Sequence, residues 1–87
     1  MDEDTLFSQL QDLAEKLGIR LRYETFHEEA SPFPGGLCRL RGEYFLIINA
    51  SSSRKEQIRA IAGALKRFDL SRLYLRPMLR DYLDDLS

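Results

Sequence analysis

The sequence predicts an α+β domain in which a three-stranded, mostly antiparallel sheet carries three helices in the order α-β-β-β-α-α. Three observations lead there. Apolar residues recur at helical spacing near both ends and again after residue 53, they switch to period two at residue 19, and two further strand-like runs meet at Arg41-Gly42. A chain of 87 residues, 44% hydrophobic and 31% charged, is long enough for one core and too short for two. The whole of 1–87 is therefore read as a single domain.

The first helix follows from Leu6, Leu10, Leu13, Ala14 and Leu17, one apolar stripe at helical spacing with Phe7 beside it. Asp2, Glu3 and Asp4 lie where the helix dipole favours negative charge, and Asp4 or Thr5 is the expected cap. Gly18 is the expected left-handed stop. Ile19, Leu21 and Tyr23 then alternate with Arg20, Arg22 and Glu24, as in a strand with one buried face. A flexible loop is expected at about 27–36, where two acids, two prolines and two glycines interrupt any ladder.

Leu37 to Leu40 and Glu43 to Asn49 are the next two strands, closed by a two-residue hairpin in which Gly42 supplies positive φ. Tyr44-Phe45-Leu46-Ile47-Ile48 is apolar at every position, the pattern of a central strand covered on both faces. Ser53 and Glu56 have the spacing of a capping box ahead of a helix that buries Ile58, Ile61, Ala62, Leu65 and Phe68. Gly63 in its interior is either a point of close packing or merely tolerated. The last helix begins near Pro77 and buries Leu79, Tyr82, Leu83 and Leu86.

Composition narrows function mainly by exclusion. No apolar run reaches the roughly 20 residues of a membrane span, and the acidic start Met-Asp-Glu-Asp is unlike a signal peptide. A cytoplasmic location without membrane contact is expected. Cys38 is the only cysteine and His27 the only histidine, which excludes an internal disulfide and a conventional zinc site. His27 beside Glu28 and Glu29 reads as a solvated loop, since adjacent residues seldom converge on one point. Cys38 reads as a small core thiol without an activating base, and Gly35-Gly36 lacks the lysine of a phosphate loop. No catalytic set, metal site or cofactor is therefore expected.

Charge is unevenly spread. Residues 1–36 hold three basic and eight acidic groups, residues 37–80 hold ten basic and three acidic, and the net charge is −1. Two surfaces become candidates. If Arg41-Gly42 is the turn, Leu37, Arg39, Tyr44, Leu46 and Ile48 share one side of the sheet, taken as the outer side, with Arg20 and Arg22 beside them. That row suits a protein partner or a second copy of the chain. The alternative is a polyanion contact, a nucleic-acid-binding module built from Lys55, Arg59 and Lys66, which fall within about 40 degrees on one helix face, together with Arg67, Arg20 and Arg22. Each has a plainer counterpart, a covered sheet face and a solvated helix face.

The runs LAEKLGIRLRYETF, GGLCRLRGEYFLIIN and SSRKEQIRAIAGALKRFDL, spanning residues 13 to 70, resemble the N-terminal core of the ImmA/IrrE-like zinc peptidase family. The resemblance implies a helix, a strand, a hairpin ending in isoleucine-isoleucine-asparagine, and a helix that in the family bears His-Glu-x-x-His. Aligned on Ala62, those ligand and base positions hold Gly63, Ala64 and Arg67, none of which binds zinc or moves a proton. The resemblance thus implies a degenerate, non-catalytic version that keeps the scaffold without its site, while the row on the sheet points to a domain that acts by protein contact.

Overall fold

A computed structural model describes residues 2–25 and 35–86. Its elements are α1 (Glu3–Lys16), β1 (Ile19–Glu24), β2 (Gly35–Leu40), β3 (Glu43–Asn49), α2 (Arg54–Leu65) and α3 (Pro77–Asp85), the predicted α-β-β-β-α-α order. β3 is central, in the order β1-β3-β2. β2 runs antiparallel to it and β1 parallel, so the sheet is mixed. β2 starts two residues before the predicted strand. The rest of the predicted loop, with His27, Glu28 and Glu29, lies outside the described residues.

Local chemistry sets the boundaries. The cap of α1 is Asp2, two residues before the first expected candidate, and its Oδ1 accepts from the Thr5 amide at 2.7 Å. The Thr5 amide, and then the Thr5 hydroxyl, hold the Asp2 carboxyl below its usual range. α1 ends at Gly18 with φ 80°. At the hairpin both central residues are left-handed, Arg41 at φ 53° and Gly42 at φ 83°, which matches the twist of the strands it joins. Ser53 caps α2 by accepting from the Glu56 amide at 3.2 Å.

α1 packs against β1 and α2, and α2 packs against β3 and β2, so both helices lie on one side of the sheet. Leu10, Leu13 and Ala14 of α1, Ile58, Ile61 and Leu65 of α2, and Leu46 and Ile48 of β3 form the core between them. α3 adds Leu79 and Leu83 to that same cluster, with Tyr82 and Leu86 partly buried against it. Phe68 lies just past α2 and meets Tyr44 edge-on, ring centroids 5.0 Å apart. Gly63 faces solvent, and a Cβ built on it meets nothing within 4 Å, so close packing does not explain it.

The interior of the helix layer is fixed by a short polar network. The buried Gln57 donates from Nε2 to the Asn49 and Ser52 carbonyls at 3.2 and 3.4 Å, and its Oε1 accepts from Arg54 at 3.1 Å. The Arg54 guanidinium also lies 3.8 Å above the Phe7 ring and 3.8 Å from Asp4. This ties the start of α2 to α1 and to the end of β3.

Candidate protein interface on the open sheet face

The strand register assigns every side chain to a face. Leu37 is opposite Leu46, Arg39 opposite Tyr44, and Ile19, Leu21 and Tyr23 lie beside Tyr44, Leu46 and Ile48. The predicted row Leu37, Arg39, Tyr44, Leu46, Ile48 does share one side. That side is the one the helices cover, not the outer one: Leu46 is 1% exposed and Ile48 0%. The assignment fails because β3 is apolar in both parities, so its own sequence does not say which parity faces the helices. Arg39 escapes burial only at the sheet margin, its guanidinium 5.4 Å from the Tyr44 ring centroid.

The open face is therefore the opposite parity. Arg20, Phe45 and Cys38 make one cross-strand row and Arg22, Ile47 and Gly36 the next, with Glu43 and Leu40 at one end and Glu24 and Asn49 at the other. Phe45 and Ile47 are half-buried, yet neither belongs to the helix-side core or packs against it. Leu40 and Cys38 are exposed, so Cys38 is a surface thiol and not the expected core residue. Among the described residues no helix lies on this face. The sequence predicts Arg20 and Arg22 beside that row, but the parallel register puts them level with Phe45 and Ile47, on the opposite face from it.

Both arginines are already matched with carboxylates. Arg20 reaches Glu43 at 3.3 Å and Arg22 reaches Glu24 at 3.4 Å, exposed pairs that add little stability but leave the described residues of this face with no net charge. The basic helix residues lie elsewhere. Lys55 and Arg59 are exposed on the solvent side of α2, and Arg67 is exposed just past its end. Lys66 is engaged, donating from Nζ to the Leu83 carbonyl near the end of α3 at 2.8 Å. The six residues predicted for polyanion contact are thus split between opposite sides of the molecule, and one of them caps a helix.

Two clefts flank the helix layer. One, about 650 Å3, lies between α1 and the approach to α3, lined by Gln9, Asp12, Leu13, Leu75 and Leu79 and flanked by the protruding Tyr74. The other, about 530 Å3, runs along the outer edge of β1 beside Gln11 and Glu15 of α1. No group of three or more His, Cys, Asp or Glu comes together among the described residues. None of their helices is long and apolar enough to cross a membrane. At the positions aligned with the peptidase ligands, Gly63 and Arg67 are exposed and Ala64 is buried. No family model matches the chain, and comparisons with curated proteins and with solved structures found no match.

Proposed function

We propose that the protein is a non-catalytic interaction domain that self-associates through the open sheet face, with Phe45 and Ile47 at the centre of the contact. The observation that carries this is an apolar centre framed by charge pairs that cancel, Arg20 with Glu43 and Arg22 with Glu24. A neutral face does not repel its own copy, and stacking two sheets face to face about a two-fold axis removes both aromatic and aliphatic surface from water. Nucleic-acid binding gains less support, because the six candidate cations are split between two sides, Arg20 and Arg22 are paired with carboxylates, and Lys66 already donates to the Leu83 carbonyl. The residues at 63, 64 and 67 favour the non-catalytic side of the peptidase resemblance. A cytoplasmic setting belongs to the same proposal, and a lone free thiol suits a compartment where disulfides are rare.

The test is sedimentation equilibrium from about 1 to 300 μM, a range that brackets micromolar association. A dimer is expected for the wild type and a folded monomer for Ile47→Glu, which forces an unpaired carboxylate into the contact. The charge belongs at 47 and not at 46, because Leu46→Glu would bury it in the core. A wild type that stays monomeric throughout, or a dimer indifferent to Ile47→Glu, overturns the proposal.

A further inference from the structure

β1 is an edge strand, and the orientation of its backbone can be read from one hydrogen bond. The Glu24 carbonyl accepts from Ala50, which follows β3, at 2.8 Å. The N–H and C=O of one strand residue point the same way and alternate along the chain. Arg20, Arg22 and Glu24 therefore pair inward with β3, and the backbone groups of Ile19, Leu21 and Tyr23 point out from the sheet. Among the described residues no strand lies beyond them. This edge is where the cleft of about 530 Å3 runs, with Gln11 and Glu15 of α1 as its far wall.

We infer that this cleft takes an extended peptide that adds to β1 as a fourth strand and presents basic residues to α1. An edge strand with outward main-chain groups beside a helix supplies the two parts of strand-addition binding, a ladder for affinity and side-chain sites for selection. The selection is set by charge. On the helix side the incoming strand meets Glu15, which lines the cleft together with Tyr23 and forms no ion pair among the described residues. On the open side its neighbours are Arg20 and Arg22, already paired with Glu43 and Glu24, whose stems accept an aliphatic residue. Alternating basic and aliphatic residues satisfy both rows at once. A second copy fits poorly, because its own Glu15 would approach Glu15 across the cleft.

The probe is a fluorescein-labelled heptapeptide alternating lysine and valine, titrated into the full chain by anisotropy and by amide NMR shifts. Saturable binding below about 1 mM is expected, with shifts centred on Ile19, Leu21 and Tyr23, and a glutamate-valine heptapeptide binding several-fold more weakly. Glu15→Lys should weaken the lysine peptide about three- to fivefold, the scale of one exposed charge pair, and narrow or reverse that preference. N-methylation of the peptide at alternate residues, in the phase that faces β1, should abolish binding, whereas the opposite phase should not. Leu21→Pro, which removes an outward N–H at an edge, should act likewise if it folds. Ile47→Glu should leave binding intact, which separates this cleft from the open face. Shifts centred on Phe45 and Ile47, indifference to methylation phase, or no saturation by about 1 mM would each overturn the assignment.

Discussion

The two parities of β3 should differ sharply in what they contribute to stability, and the adjacent pair Ile47 and Ile48 isolates that difference. Replacing Ile48, which is 0% exposed, by alanine removes three carbons from the core. At about 0.8 kcal/mol per buried carbon the transfer loss is near 2.5 kcal/mol, and the cavity left between β3 and the helix layer brings the total to about 3–4 kcal/mol. Ile47 is the same residue in the same strand, but it is half-buried on the face without a helix, so its truncation should cost about 1 kcal/mol. Urea unfolding followed by circular dichroism gives both values, provided the m-value is unchanged and the protein is kept near 1 μM, where self-association adds little. For a domain of this size each kcal/mol shifts the melting point by about 4–8 °C, so Ile48→Ala should melt at least 8 °C below Ile47→Ala. Equal costs at the two positions, within about 0.5 kcal/mol, would refute the division of the sheet into a covered and an open face.

Three further outcomes follow from particular residues. Gly63→Ala should stabilise by up to about 1 kcal/mol in the same assay, because the helix gains propensity and the new methyl meets open space. Lys66→Ala should remove the bond to the Leu83 carbonyl and cost about 0.5–1.5 kcal/mol, with hydrogen exchange quickening in α3 before elsewhere. Asp2 has a lowered pKa in the folded state, so its contribution is present above the unfolded value of 3.8 and is lost as pH falls through the folded one. Asp2→Asn should therefore change little at pH 6 and flatten the acid limb of a thermal-stability profile below about pH 4.

Element order was legible because the local signals agree: a stripe that stops at Gly18, an alternation that starts at Ile19, a turn at Arg41-Gly42 and a cap at Ser53. The row Leu37, Arg39, Tyr44, Leu46, Ile48 was legible as a row for the same reason, since the turn fixes antiparallel register. Its direction was not, because Phe45 and Ile47 are as apolar as Leu46 and Ile48. The deciding information is held by β1, whose Ile19 and Leu21 are apolar where Arg20 and Arg22 are charged, and the parallel register of Ile19 with Tyr44 transfers that polarity to β3. A parallel register between segments far apart in sequence has no turn to set it. The Lys66 contact was not legible for a different reason, because a helix stripe does not reveal that a later helix ends within reach of one lysine.

The mixed pairing of β3 also imposes an order of assembly. β2 joins it through a two-residue turn, a closure that takes microseconds and costs little chain entropy. β1 joins it across the much longer separation between Ile19 and Tyr44, and must do so with its chain direction matched to that of β3. The hairpin, once covered by α2, is then the template on which α1 and β1 condense as a unit. Substitutions in the turn at Arg41-Gly42 should slow folding, while those at the β1 register, such as Leu21→Ala, should chiefly hasten unfolding. The parallel strand should thus arrive last and leave first, which would place the barrier to unfolding at that seam.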